Sequence, residues 1–291
     1  MNFRKKTFRE LRKDQYSYNL NLFPYLNSWI KNPYSFIKAR FYMESSAILV
    51  YLLLKTTIKP NTVTIFYCLA GVFTGILLAI PNDYTILIAL LIAFTKGILD
   101  WSDGQLARVK GETSLTGSIL DGYGAILNSL GLQIGLGLYV ASRLEIVGIY
   151  YLVALLLFFR SSSLFIYSKS FLFSEISNKN IISNYLSNKL NKKDNKNEKE
   201  TLSPTLSSKI SNFFRNILDD RARSVDFICF IIILEFYYPI NISLILFSII
   251  VVKYFFIFII SFYKVSKIGW SENKLLNKIK EIDFLLEEEA S

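Results

Sequence analysis

The chain of 291 residues contains no histidine and only two cysteines, Cys68 and Cys229. Without histidine, Ser-His-Asp hydrolysis, imidazole acid–base catalysis and His-dependent zinc sites are excluded. Two distant cysteines supply neither a zinc spacing nor a disulfide framework, and both fall in apolar runs, where they read as small buried residues. Charge is also sparse, at 19% of residues against 52% hydrophobic. What charge there is leans basic, with 33 Lys and Arg against 23 Asp and Glu, a formal net of +10. Nucleic acid is not the expected partner, because neither an aromatic-rich soluble module nor a nucleic-acid motif accompanies the basic excess. Anionic membrane lipids fit it better, since each juxtamembrane Lys or Arg gains roughly 1 kcal/mol near an anionic leaflet.

Several apolar runs reach the ~20 residues that ~30 Å of hydrocarbon requires. Six spans are expected, near 63–80, 84–107, 115–141, 147–167, 225–238 and 242–263, the fifth being short. The expected fold is therefore an all-α integral membrane protein with six transmembrane helices. An interfacial amphipathic helix at 29–43, where aromatics mix with Lys31, Lys38 and Arg40, should precede them. Basic residues concentrate in the N-terminal arm, the 108–113 connection, the 173–223 stretch and the tail, while the turns at 81–83 and 238–241 have none. By the positive-inside rule both termini, and the 108–113 connection with them, are expected in the cytoplasm. The chain then divides into a basic arm with the interfacial helix (1–45), a membrane domain with spans 1–4 (46–172), a basic cytoplasmic loop (173–223), spans 5–6 (224–265) and a cytoplasmic amphipathic tail (266–291). Two stretches extend this reading: 210–217, whose Phe213 and Phe214 are suited to the interface, and 272–289, with leucine and isoleucine at near-helical spacing.

Chemistry concentrates in the run DWSDGQLARVKGETSLTGSILD, from Asp100 to Asp121. Asp100 and Asp103 lie three apart at the end of an apolar run, so a helix presents both on one face as half of a cation site. Carboxylates of this kind suit a hard divalent cation, Mg2+ or Mn2+, shared with a phosphate. Gly104 permits close approach of a ligand or a neighbouring helix, and Arg108 can offer a forked donor to phosphate. Gly117 and Asp121 repeat the small-then-acidic pattern on the next apolar segment, so the run reads as a helical hairpin closing on metal and phosphate.

Asp100, Asp103, Gly104, Ala107, Arg108, Gly117 and Asp121 together resemble the signature of the CDP-alcohol phosphotransferase (CDP-alcohol phosphatidyltransferase) family. Upstream, KPNTVT with Pro60, Asn61 and Thr64 is similar to the stretch that precedes that family's first span, and the likeness extends over roughly residues 35–265. The resemblance implies that Asp100, Asp103 and Asp121 hold divalent cations, two in all, and that Asn61, Thr64, Gly104, Ala107, Arg108 and Gly117 line a cytidine and phosphate pocket. It implies transfer of a phosphoalcohol group from a CDP-linked donor such as CDP-diacylglycerol to an alcohol acceptor, with release of CMP, in membrane lipid synthesis. Dimerisation is expected on the same ground alone, since Gly131, Gly135 and Gly137 suit packing against either a neighbouring span or a second subunit.

One position departs from the signature. The family carries a fourth Asp four residues after the third, as its usual general base and part of its metal cluster, and here that position is Ala125. A methyl group neither ligates a cation nor accepts a proton, and a positioned base is typically worth ~10²- to 10⁴-fold in rate. Three readings follow: an engineered inactive variant, a natural non-catalytic CDP-alcohol-binding homologue, or an active enzyme in which Asp121, or Asn128 holding a water, takes over. Elsewhere, Arg160 in the fourth span is the candidate for gripping an anionic group on the acceptor. Glu235 and Lys253 are expected to pair between the last two spans. A transporter coupled through the intramembrane acids would leave the Ala107, Arg108 and Gly117 spacing unexplained.

Overall fold

A computed structural model describes residues 6–30, 33–164, 222–238 and 240–267. Among them all regular structure is helical: α1 (Phe8–Leu22), a 3₁₀ turn (Pro24–Asn27), α2 (Pro33–Leu53), α3 (Pro60–Ala79), α4 (Asp83–Lys110), α5 (Leu115–Leu144), α6 (Val147–Ser161), α7 (Ala222–Tyr237) and α8 (Ile242–Val265). Four of these, α3, α4, α5 and α8, are long and apolar enough to cross a membrane, and α6 is apolar but shorter. The protein is thus an all-helical integral membrane protein by length and composition. The helices start within a few residues of the expected spans. Residues 173–221 of the expected cytoplasmic loop and the stretches 210–217 and 272–289 lie outside the described residues, as does the end of the fourth expected span.

Local chemistry sets the helix ends. Pro60 opens α3 at a position where its missing N–H costs nothing. The Asn82 side chain accepts from the Tyr84 amide at 2.9 Å to cap α4. Gly111, at φ 67°, closes α4 in the left-handed region that glycine tolerates. Ser114 then caps α5 by accepting from the Gly117 amide at 3.0 Å. The short link 111–114 makes α4 and α5 antiparallel. The end of α4, the start of α5 and the start of α3 therefore meet at one end of the bundle.

The chain forms two compact units. The first comprises 1–150 and 219–247, the second 151–218 and 248–291. In the first, α3 packs most closely on α5 through glycine. A Cβ on Gly131 would overlap the Gly71 carbonyl, one on Gly75 would come within 2.8 Å of the Gly131 carbonyl oxygen, and one on Gly135 would lie 2.9 Å from the Gly75 Cα. Gly131 and Gly135 thus have their partner inside the chain. Leu11, Val50, Leu54, Val63, Leu106 and Val109 gather α1, α2, α3 and α4 around one apolar core. In the second unit, Phe159 lies 5.3 Å from Phe255 and 5.5 Å from Phe258, centroid to centroid.

Two expectations change. Glu235 pairs with Arg143 at 2.8 Å rather than with Lys253, because α7 brings it to the end of α5 within the first unit. The N-terminal arm, expected as a basic stretch leading to one interfacial helix at 29–43, folds as two helices. Of these, α1 begins with a capping box in which Thr7 and Glu10 satisfy each other's backbone amides. The second, α2, runs on to Leu53 and buries Lys38, which is paired with Asp226 at 2.8 Å.

Candidate active site

The antiparallel turn of α4 into α5 brings Asp100 to face the Asp121 carboxylate. The Tyr67 hydroxyl of α3 comes within hydrogen-bonding range of Asp100. Two carboxylates in contact repel unless a proton or a cation lies between them. Asp103, one turn further along α4, is only 6% exposed. Its Oδ1 accepts from the Gly104 amide at 2.5 Å, while its Oδ2 is buried with no hydrogen-bond partner among the described residues. An orphaned buried carboxylate oxygen is costly in a folded protein unless a ligand satisfies it. Among the described residues no group of three acids is close enough to hold a metal ion by itself. Oxygen donors of this type nevertheless fit a hard cation that takes the rest of its ligands from phosphate and water. Asp103 Oδ2 is the open ligand position among them.

The remaining signature residues surround this group. Thr64, buried on α3, donates its hydroxyl to the Pro60 carbonyl at 3.3 Å and stands beside the Asp103 carboxylate. Asn61 lies against Gly117: a Cβ there would stand 3.1 Å from Asn61 Oδ1 and 3.2 Å from Ser114 Oγ. Gly117 thus joins the starts of α3 and α5. Gly104 has a similar purpose, since a Cβ would stand 3.3 Å from Arg108 Nη1. The arginine folds back over its own helix across the glycine. Ala107 is half-buried on the last turn of α4, where its carbonyl accepts from the Glu112 amide at 2.9 Å.

Residues 57–186 match the family model of the CDP-alcohol phosphatidyltransferases. The likeness covers just under half of the chain. The matched stretch takes in α3 to α6 and every signature residue, a narrower span than the 35–265 expected, and leaves α1, α2, α7 and α8 outside it. No curated protein matches the chain. That family consists of CDP-alcohol phosphotransferases that generally work with divalent metal ions, and the likeness supports an enzyme of phosphatidyl transfer in lipid synthesis.

Two sequence candidates have contacts of their own. Asn128 is 2% exposed, and its amide donates to the Tyr67 carbonyl at 2.8 Å and to the Gly124 carbonyl at 2.9 Å. Its amide nitrogen is committed to the α3–α5 contact, while its Oδ1 is buried without a partner among the described residues. Arg160 belongs to the second unit, with its guanidinium 5.0 Å from the centroid of the Tyr254 ring. By contrast Asp121 and Ala125 are both exposed, one turn apart on α5.

Tyr67 was not foreseen. In sequence it is one aromatic within an apolar run; its separation of three residues from Thr64, which places both on one face of α3, was the available signal. Gln15 and Tyr18, which contact Arg108, lay in an arm with no apolar stripe. Only the Thr7 and Glu10 capping pair announced that helix.

Proposed function

We propose that this protein transfers a phosphoalcohol group from a CDP-linked donor of the CDP-diacylglycerol type to an alcohol, releasing CMP, at the cytoplasmic side of a membrane. The observation that carries the reading is Asp103 Oδ2, buried and left without a partner on the helix face it shares with Asp100, near Asp121. Asp100, Asp103 and Asp121 would hold divalent cations, Mg2+ or Mn2+, which supply charge neutralisation to a diphosphate. Asn61 and Gly117, in contact at the mouth of the hairpin, supply an amide and an uncrowded backbone for the cytidine, and Arg108 a guanidinium for the phosphate. The acceptor hydroxyl attacks the phosphorus of the transferred group as the bond to the CMP oxygen breaks. Its proton passes to Asp121, the exposed carboxylate left on this face of α5 where Ala125 has none. Acyl chains of the donor remain among the apolar outer faces of α3 and α4, where Phe66, Phe73, Leu87 and Leu91 are exposed. Basic residues of the arm favour anionic headgroups nearby.

A second reading rests on Ala125, whose exposed methyl stands one turn beyond Asp121. A protein that binds a CDP-alcohol without turning it over would look the same. Cation-dependent CMP release from CDP-diacylglycerol, with a panel of alcohols, separates the two. Turnover by the unaltered chain that is lost in Asp121→Asn supports transfer with Asp121 as the base. Turnover that appears only in Ala125→Asp, together with CDP binding by the unaltered chain, supports the binding protein.

A further inference from the structure

Arg108 is not free in its site. Its Nη2 donates to Gln15 Oε1 at 3.1 Å, and its guanidinium carbon lies 3.6 Å from the centre of the Tyr18 ring. Both partners come from α1, which lies outside the family-matched stretch. Gln15 is 1% exposed, and its other end is equally fixed: Nε2 donates to Ser46 Oγ at 3.0 Å and to the Trp101 carbonyl at 3.3 Å. Trp101 immediately follows the first acid of the signature. A second tie runs alongside, from Gln105 Nε2 to the Leu11 carbonyl at 2.8 Å. Beyond these contacts a cavity of about 380 Å³ opens between α1 and α4, with Lys6, Tyr18, Asn21, Gln105 and Arg108 among its walls. Gln105 Oε1 is buried there without a partner among the described residues.

These contacts carry one argument. A guanidinium offers five donors in a flat fork on a long flexible stem, and holding it in one orientation costs rotamer entropy unless other groups hold it first. Gln15 takes one of the donors, Tyr18 covers one face, and Gly104 leaves room for the fold-back. The guanidinium so held belongs to a side chain on the wall of the cavity. We propose that Gln15 is a positioning residue for the CDP-alcohol reaction: from the added N-terminal helix it fixes Arg108 in the orientation that receives the donor's phosphate. This rests on the phosphate role given to Arg108 under Proposed function. Helix α1 is then a working part of the transferase site that the family-matched stretch alone does not contain.

The test is a double-mutant cycle on the full chain in detergent, reading CDP affinity in Mn2+ buffer by calorimetry. Gln15→Met keeps the length and burial of the side chain and removes only its polar end. It should weaken CDP binding about tenfold, the order expected for one hydrogen bond to a charged group, and lower thermal stability as well, since Ser46 Oγ and the Trp101 carbonyl lose their donor. Placed on Arg108→Ala, which itself weakens CDP, it should add nothing. Tyr18→Leu should behave in the same way. Equal losses in both backgrounds would make Gln15 a merely structural residue and overturn the inference. So would unchanged affinity in Gln15→Met while Arg108→Ala weakens it. Unchanged affinity in Arg108→Ala would instead overturn the phosphate reading, and this inference with it.

Discussion

Asn128 donates its side-chain amide to the Tyr67 carbonyl at 2.8 Å, and this bond crosses the tightest helix contact among the described residues. A polar side chain can cross there because Gly71, Gly75, Gly131 and Gly135 let the two backbones touch. Small residues at such a contact replace side-chain burial with close backbone packing, the usual currency of helix pairing in lipid. The contact also holds Tyr67 beside Asp100, so packing and chemistry share one interface. Gly131→Ala should lower stability, because the new Cβ overlaps the Gly71 carbonyl and overpacking of this sort typically costs ~1–3 kcal/mol. Gly122→Ala on the same helix meets nothing within 4 Å and should be neutral or slightly stabilising, as alanine is the better helix former. Thermal unfolding of both variants in one detergent checks the contrast.

A second buried tie fixes the far end of α5. Glu235 accepts from Arg143 at 2.8 Å, from the Tyr139 hydroxyl at 3.2 Å and from the Ser243 amide at 2.7 Å, the last in the first turn of α8. Its side chain is 1% exposed. Removing one member of a buried pair leaves the other charge uncompensated and typically costs ~3–5 kcal/mol. Glu235→Ala should therefore be severely destabilising in an unfolding assay, and Glu235→Gln, which keeps an acceptor for the Ser243 amide, less so.

The spans were legible because their signals are local. Apolar runs gave their lengths, and Pro60, Asn82, Gly111 and Ser114 mark ends that the structure places within a few residues of expectation. The grouping of Asp100, Asp103 and Asp121 was legible for a related reason: spacing within a helix and a short turn between two helices decide it. What failed depends on contacts between distant parts of the chain. Glu235 and Arg143 carry no sign in sequence that they belong together. Gln15, Gln105 and Lys38 are buried although hydropathy places them at the surface, because each donates to a partner on another helix. Tyr67 hides for the opposite reason, as an aromatic in an apolar run whose hydroxyl alone matters.

Asp103 Oδ2 gives a readout of cation binding that does not need turnover. If this oxygen is a ligand position, Mn2+ at about 100 times its dissociation constant should stabilise the protein by roughly 2.7 kcal/mol. Chelation should reverse the gain. Asp103→Asn replaces the anionic ligand with an amide and should remove most of the Mn2+-dependent shift in unfolding temperature, while its metal-free stability stays near that of the unaltered chain or rises. A full Mn2+ shift retained in Asp103→Asn would show that the cation sits elsewhere.

Tyr67 tests whether the acids act as one group. Its ring is 6% exposed and wedged on Gly124, where a Cβ would approach Tyr67 Cδ1 to 2.6 Å, so its hydroxyl is held in place by packing rather than by rotamer preference. From that position it faces Asp100, which in turn faces Asp121. A hydroxyl donated to a carboxylate orients it and leaves its other oxygen for a cation, and loss of such a supporting bond typically costs ~10- to 100-fold in metal affinity. Tyr67→Phe keeps the wedge and removes the donor. Its Mn2+ affinity, read by titration against the unfolding temperature, should fall by that order while unfolding without metal is little changed. A fall in metal-free stability with Mn2+ affinity intact would place Tyr67 with the packing of α3 on α5 and leave Asp100 to be oriented by Asp121 alone.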